Sequence, residues 1–234
     1  MNALESGLRS ITGSTDLDRG FKELAELAIL EDSKSVRDLL RDLFRCKTPT
    51  NSQAEILKYQ WKRIYTVNYD DCVEKCLRAS LSQNFNLLDP VPKRILYRSL
   101  IHLHGYIGSI ENEKLDECIV LNDRSYAKLM IQRSPWLLQL QSDIRFSRNV
   151  IFIGFSNRDH HIQSILLSDP DIKSKSTFII GPDSDEMDIK LLSAYGDVYP
   201  IGIDAAKIEI EFAVNTNEEQ PDLHKLKNFR ISEP

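Results

Sequence analysis

The segment WKRIYTVNYDDCVEKC, residues 61–76, predicts a buried strand that ends in polar residues and is followed at once by a helix. Asn68, Asp70 and Asp71 stand where the hydrophobic strand has just left the core. One explanation is a cap for the helix, because Asn and Asp side chains accept hydrogen bonds from its first N–H groups. The other is a ligand site, because ligands bind at the carboxyl ends of parallel strands.

The same alternation of strand and helix continues along most of the chain. Strands are predicted at 63–68, 99–105, 117–122, 149–156, 176–182 and 198–203, with amphipathic helices between them. The segment NVIFIGFS (149–156) is apolar on both faces, as expected for the central strand of a parallel sheet. This pattern predicts an α/β fold with a doubly wound, Rossmann-like, mostly parallel sheet and flanking helices.

The two ends of the chain depart from this alternation. Residues 1–52 predict helices, and we expect this helical N-terminal segment to belong to the same domain as the core. Residues 53–204 form the predicted Rossmann-like core. Residues 205–234 begin with the alternating segment KIEIEFAVN, which predicts a strand, and continue as a polar tail.

Charge and hydropathy restrict the classes of partner. The chain has 30 basic and 35 acidic residues and a net charge of −5, which gives no overall positive field for nucleic acid. No apolar run approaches the ~20 residues that a membrane helix needs, and the N-terminus lacks a signal-peptide pattern. We therefore expect a cytoplasmic protein without a direct nucleic-acid or membrane partner.

The four cysteines fit the reduced thiols of such a compartment. Cys72 and Cys76 are one helical turn apart, Cys46 stands alone, and Cys118 lies in a predicted strand. A structural zinc site needs four ligands, and no second pair matches the first. The sequence therefore predicts no metal site.

Polar residues gather at the carboxyl ends of three predicted strands. In an open α/β sheet such ends share one edge, so these residues predict a ligand site, although each of them could instead cap a helix or close a turn. They are Thr66, Asn68, Asp70 and Asp71 after the first strand, His104 and Gly105 after the second, and Gly154, Ser156, Asn157 and Asp159 after the 149–156 strand.

Four segments carry a resemblance to a known family. They are IYTVNYDDCVEKCL, LIHLHGYI, CIVLNDRSYAKL and NVIFIGFSNRDHHIQSIL, in this order along the chain. Their Thr-x-Asn-Tyr-Asp, Leu-His-Gly, tyrosine-helix and Gly-Phe-Ser-x-x-Asp motifs resemble the sirtuin-like NAD-hydrolase domains of bacterial antiphage defence proteins. The resemblance covers residues 53–204. It implies an NAD glycohydrolase, with NAD as the substrate and nicotinamide and ADP-ribose as products.

The resemblance also implies roles for the residues of the first two strands. Asn68 would lie against the nicotinamide ribose and position water, and His104 would be the general base. Asp70 would orient the nicotinamide end, with Thr66 beside it in the cofactor-binding set. These residue types suit the reaction, because an oxocarbenium-like transition state with a good leaving group needs positioning and modest proton transfer.

For the 149–156 strand the resemblance implies contacts with the adenosine half of NAD. Gly154 would allow close approach of the backbone, and Ser156 would contact the ligand. Asp159 would order the loop or contact the ligand itself. A weaker alternative makes Ser156 a nucleophile with His104 as its base, but GFSNRD lacks the second glycine of a nucleophile elbow.

Two departures from the family pattern limit what the resemblance implies. The family begins with a buried strand and a Gly-Ala-Gly-x-Ser loop that approaches the phosphates, whereas SITGSTDL (10–17) has one glycine, follows no buried strand and predicts a turn or cap. Val67 stands where protein-deacylating sirtuins carry Gln, and their two-pair cysteine module is missing, so deacylation is not expected.

Two functions therefore remain open at this point. The first is an NAD glycohydrolase whose phosphate-binding loop is supplied or compensated, and which is activated by self-assembly or by a separate activating chain. The second is a catalytically inactive or truncated nucleotide-binding or oligomerisation module. The single-glycine segment 10–17 favours the second function, and the ordered set of Asn68, His104 and Ser156 favours the first.

Overall fold

The computed structural model describes residues 3–16, 18–110, 115–131 and 134–215. The protein has the predicted α/β, Rossmann-like class, with two small parallel sheets, flanking helices and a helical N-terminal segment. It divides into two compact units. Unit 1 runs up to Thr50 and resumes over Leu57–Leu140, and unit 2 comprises Asn51–Ile56 and the described residues from Gln141 onward. None of the helices in the described ranges is long and apolar enough to cross a membrane.

The helices and strands are numbered in chain order. They are α1 (Ala3–Thr12), α2 (Phe21–Phe44), α3 (Asn51–Leu57), β1 (Arg63–Thr66), α4 (Cys72–Leu77), β2 (Gln83–Phe85), β3 (Ser99–His102), α5 (Leu115–Cys118), α6 (Asp123–Ile131), α7 (Pro135–Phe146), β4 (Val150–Ile153), α8 (His160–Ser168), α9 (Ile172–Lys175), β5 (Ser176–Ile179), α10 (Glu186–Leu192), β6 (Asp197–Tyr199) and α11 (Gly202–Asn215).

Unit 1 contains a three-stranded parallel sheet in the order β1-β3-β2. β3 is the middle strand, and all four of its residues are buried. Arg63 is in register with Ser99 and Thr66 with His102, so β1 and β3 end at the same level. β2 also pairs with β3, although the sequence did not predict it, because three residues are too few to show a period of two.

The N-terminal helices belong to the core of unit 1. α2 is kinked at Asp32, whose carboxylate accepts hydrogen bonds from the N–H and the hydroxyl of Ser35 at 3.0 and 2.6 Å. The kink separates two amphipathic segments, and each presents apolar residues at helical spacing to the core. The buried residues of this core are Leu4, Leu8, Leu24, Ala25, Ala28, Val36, Leu40, Ile107, Ile110, Leu115, Cys118, Ile119 and Leu121.

Unit 2 contains the second parallel sheet, in the order β4-β5-β6. The sequence predicts the 149–156 segment as a central strand, but in this sheet the middle position belongs to β5, which is fully buried. β4 lies at one end of the order, and Ile153 is 42% exposed. Apolar side chains on both faces of β4 are explained in part by ring stacking, because Phe152 stacks on Phe178 at 4.7 Å between centroids.

The predicted strand at 117–122 is wrong. The segment comprises the end of α5 and a buried irregular stretch. Its backbone donors are satisfied without a strand ladder: Val120 N–H donates to His104 O at 2.9 Å, and the next two N–H groups donate to Ser125 Oγ at 3.0 Å each. Burial of a continuous apolar run produces the same sequence pattern as a strand, which explains the error.

The strand predicted after residue 205 is also wrong, because this segment lies in α11. In a strand, residues 206, 208 and 210 would share one face. Ala206 and Ile210 are instead buried, while Ile208 between them is 63% exposed, which is the pattern of a helix. The predicted polar tail from residue 216 onward lies outside the described residues.

Candidate functional site

The carboxyl ends of β1 and β3 place two of the predicted site residues on one edge of the unit 1 sheet. Because Thr66 is in register with His102, Asn68 and His104 each follow the register pair by two residues. Thr66 O accepts a hydrogen bond from Leu103 N–H at 2.9 Å, which continues the pairing beyond the strands. The structure therefore brings the turns that carry Asn68 and His104 together.

The turn after β1 is closed by its own side chains. Asn68 N–H donates to Thr66 Oγ1 at 3.1 Å, and the Asn68 side chain is exposed. Tyr69 OH donates to Val120 O at 2.5 Å, and Tyr69 O accepts from Ile107 N–H at 2.9 Å. These contacts fix the backbone on both sides of Asn68 and leave its amide group at the surface.

The two aspartates of this turn have structural partners. Asp70 Oδ1 accepts a hydrogen bond from Cys72 N–H at 2.9 Å, which closes the turn before α4. The N-cap of α4 is Asp71, and its side chain makes no capping hydrogen bond. Asp71 Oδ1 accepts from Cys46 N–H at 2.7 Å, and Asp71 Oδ2 lies 3.0 Å from Lys75 Nζ. Burial is the largest influence and raises the pKa of Asp71, but the Cys46 and Lys75 contacts outweigh it, so the pKa is lowered.

His104 lies in a tightly packed turn after β3. Its side chain is buried, and its ring meets the ring of Tyr126 edge to face at 5.4 Å between centroids. Gly105 follows with φ +80°, and a Cβ at this position would lie 2.0 Å from Cys118 O. Only glycine therefore fits the turn that holds His104.

A hydrogen bond between His102 and Glu74, which the sequence did not predict, lies at the end of β3. His102 Nε2 lies 2.9 Å from Glu74 Oε1, which also accepts a hydrogen bond from Asn84 Nδ2 at 3.0 Å. The His102 ring is fully buried and stacks on Tyr106 at 4.1 Å. Burial raises the pKa of Tyr106, and the carboxylates of Glu74 and Asp89 raise it further. This contact joins β3 to α4, the helix that follows the Asn68 turn.

The remaining predicted site residues lie in unit 2, in the loop after β4. Gly154 has φ +70°, is exposed, and has no atom within 4 Å of a Cβ built on it. Gly154 N–H donates to Ile179 O at 2.9 Å, and the side chain of Ser156 is exposed. The backbone at Gly154 is thus open to a neighbouring group. The hydrogen bond from Gly154 to β5 fixes the position of this residue.

Asp159 ends this loop as the N-cap of α8. Its Oδ1 accepts hydrogen bonds from His161 N–H at 2.9 Å and Ile162 N–H at 3.2 Å. This confirms the cap interpretation of Asp159 and means that the carboxylate orders the loop.

Within the segment 10–17, residues 10–12 are the last residues of α1. α1 ends at Thr12, whose Oγ1 accepts from Ser14 N–H at 3.3 Å, and Gly13 has φ +60°. A helix carries partial negative charge at its carboxyl end, which does not favour phosphate. The Arg9 guanidinium forms an ion pair with Glu5 at 3.1 Å and donates a hydrogen bond to Arg19 O at 3.1 Å. The predicted turn is confirmed.

Comparison with known proteins gives one match. Residues 62–198, more than half of the chain, match the family model of the SIR2-like domain. This range includes Thr66, Asn68, Asp70, His104 and the loop from Gly154 to Asp159, and it leaves out the segment 10–17. No curated protein matches the chain. The chain belongs to the SIR2-like domain family.

Proposed function

We propose that this protein binds NAD and hydrolyses it to nicotinamide and ADP-ribose, and that it acts in bacterial antiphage defence. The observation that supports the proposal is the matched placement of Asn68 and His104 at the carboxyl edge of two neighbouring parallel strands. The Asn68 carboxamide and the His104 imidazole follow two strands that end at the same level. Both groups can therefore contact one water molecule and one ribose. Membership of the SIR2-like domain family supports NAD as the ligand.

The reaction breaks the bond between the nicotinamide nitrogen and C1′ of the ribose. Nicotinamide leaves as a neutral molecule, because the electron pair of the broken bond neutralises its pyridinium nitrogen. Water adds its oxygen to C1′, and one of its protons is taken up by His104 and then released to solvent. Asn68 positions the water and the ribose hydroxyls through its exposed amide. The balance is NAD⁺ plus water to ADP-ribose, nicotinamide and one proton.

The other predicted residues act by shaping the binding surface. The hydroxyl of Thr66 and the carboxylate of Asp70 fold the turn that presents Asn68. In unit 2, the open backbone at Gly154 and the exposed hydroxyl of Ser156 suit contact with a polar ligand. The carboxylate of Asp159 holds their loop by capping α8. We propose that self-assembly of the chain completes the site.

The second candidate function is a nucleotide-binding or oligomerisation module without catalysis. The helix end at Thr12–Gly13 favours it, because this segment presents no row of backbone N–H groups to a pyrophosphate. Each charge-assisted hydrogen bond that the protein does not make to the phosphates weakens NAD binding by ~1.5–3 kcal/mol. In this case NAD or a related nucleotide binds without turnover.

Two measurements on the purified full chain separate these functions. Isothermal titration calorimetry measures NAD binding, and liquid chromatography measures nicotinamide release over time. Binding with release supports the glycohydrolase, whereas binding without release, at high protein concentration as well as low, supports the module. Neither binding nor release under both conditions would overturn both functions.

A further inference from the structure

Three of the four cysteines lie together in unit 1. Cys72 and Cys76 are four residues apart on α4, and so point to one side of this helix. Cys46 follows the end of α2 directly after its C-cap Arg45. Cys118 is apart from them, buried with its Sγ 3.7 Å from Leu115 O.

The backbone of Cys46 is fixed against the first turn of α4. Its N–H donates to Asp71 Oδ1 at 2.7 Å, and its carbonyl accepts a hydrogen bond from Lys75 Nζ. Lys75 and Asp71 form an ion pair at 3.0 Å, which closes the ring of contacts. The carboxylate on one side of Cys72 and the ammonium group three residues after it therefore hold Cys46 beside Cys72.

The thiols themselves lie close together. The Cys46 and Cys76 thiols are both near enough to that of Cys72 to affect its pKa, which burial raises most. All three residues are half-buried, which leaves them within reach of a small reagent in solvent.

The geometry of disulfides selects one of the two adjacent pairs. A disulfide needs Cβ atoms about 3.5–4.5 Å apart. Residues four apart on a helix keep their Cβ atoms about 5–6 Å apart, so Cys72 and Cys76 could be bridged only if α4 unwound. Cys46 lies on a separate segment, so the helical spacing does not limit its distance from Cys72. The pair Cys46 and Cys72 is thus the one that fits a disulfide.

The surroundings of the three thiols indicate which of them reacts first with an oxidant. Burial raises the pKa of the Cys72 thiol, and the neighbouring Cys46 thiol raises it further. Burial is likewise the largest cause that raises the pKa of the Cys76 thiol. The thiolate is the nucleophile, so these two groups compete poorly for an oxidant in solution, although Cys72 can still attack a sulfenic acid held beside it. Cys46, which lies outside α4, is the thiol that reacts first in the proposed sequence.

We infer that Cys46 and Cys72 form a reversible disulfide when the protein meets a peroxide. The Cys46 sulfur attacks hydrogen peroxide, breaks its O–O bond and becomes a sulfenic acid, with release of one water. The Cys72 sulfur then attacks this sulfenic sulfur, and its proton leaves with the hydroxyl as a second water. Two thiols and one peroxide give one disulfide and two waters. A small thiol reductant reverses the bond.

Peptide mapping of the oxidised full chain tests this pairing. Trypsin cuts after Arg45, Lys47, Arg63, Lys75 and Arg78, so Cys46, Cys72 and Cys76 fall in three separate peptides, 46–47, 64–75 and 76–78. After treatment with hydrogen peroxide and blocking of free thiols, we expect peptide 46–47 linked to peptide 64–75 as the major cross-linked species. The link should disappear when the sample is reduced before digestion.

Single substitutions sharpen the same experiment. Cys46→Ser should abolish the link, whereas Cys76→Ser and the distant Cys118→Ser should keep it. In Cys72→Ser, a sulfenic-acid trapping reagent should label Cys46. A main link between peptides 64–75 and 76–78, or three fully blocked thiols after peroxide treatment, would overturn the inference. The map of the unsubstituted chain is decisive even if a variant does not fold.

Discussion

Thr66 is the register partner of His102 on the neighbouring parallel strand. The two strands therefore end at one level, and the turns that follow them carry Asn68 and His104 at equivalent positions. The turn of Asn68 is closed by local hydrogen bonds and leaves the amide exposed, while His104 is packed and buried. Substitution of Asn68 should therefore affect catalysis alone, whereas substitution of His104 can also affect folding.

Asn68→Ala should lower the rate of nicotinamide release about 10²-fold, because loss of its amide leaves water and ribose misplaced at C1′. The melting temperature should stay unchanged, since the side chain is exposed. Asn51→Ala is the control, because Asn51 is an exposed asparagine outside the two site turns. A full rate in Asn68→Ala would remove this residue from the catalytic mechanism.

His104→Gln should lower nicotinamide release about 10²–10⁴-fold, the usual contribution of a general base. NAD binding by calorimetry should be kept, because glutamine retains a hydrogen-bonding side chain of related size. His160→Gln, at an exposed position in the first turn of α8, should retain the rate. If the His104 variant folds, binds NAD and turns it over normally, His104 is not the base.

Gly105→Ala should destabilise unit 1 by at least about 3 kcal/mol, since positive φ and a backbone clash act together. Gly13→Ala should cost only about 1–2 kcal/mol, because Gly13 shares the positive φ but has no atom within 4 Å of its Cβ position. Both tryptophans of the chain, Trp61 and Trp136, belong to unit 1, so urea unfolding followed by fluorescence reports on it. Equal destabilisation of the two variants would contradict the clash at Cys118 O.

Glu74→Ala should lower the free energy of unfolding by about 1–3 kcal/mol, because it leaves the buried imidazole of His102 without its hydrogen-bond partner. Glu31→Ala, at an exposed position of α2, should change it by less than about 0.5 kcal/mol. The same fluorescence measurement compares the two variants. A Glu74 variant as stable as the Glu31 variant would show that the His102–Glu74 contact contributes nothing to folding.

The lowered pKa of Asp71 predicts a pH-dependent contribution to stability. A carboxyl whose pKa is lower in the folded state stabilises the fold above its unfolded pKa, about 3.9, and loses this effect as the pH falls through the folded pKa. Asp71→Asn should therefore be less stable than the unsubstituted protein at neutral pH, and the difference should shrink below about pH 4. Asp18→Asn, at an exposed position, is the control. A constant difference across this pH range would contradict the prediction.

The elements that sequence analysis predicted correctly have a clear period or a run of apolar residues bounded by polar ones. β1, β3, β4 and β5 are of this kind, as are the two segments of α2. The errors at 117–122 and after 205 have different causes: a buried apolar run was taken for a strand in the first segment, and a short alternation in the second. Ser125 accepts the hydrogen bonds that a neighbouring strand would otherwise accept, and α11 hides its helical period behind a short alternating stretch.

The positions of the candidate site residues were predictable because strand ends are visible in the sequence. The use of Asp159 as a cap was also predicted as an alternative, and its side chain accepts two N–H groups of α8. The Glu74–His102 pair was not predicted, because it depends on how α4 lies against β3. Its only signal was a histidine in the interior of a strand with apolar neighbours.

The decisive measurement is nicotinamide and ADP-ribose release from NAD by the purified full chain in water enriched in heavy oxygen. We predict equal amounts of the two products, heavy oxygen at C1′ of the ADP-ribose, and loss of both products in Asn68→Ala and His104→Gln. NAD that binds but stays intact, or products that form at the same rate in both variants, would contradict a hydrolase built on these two residues.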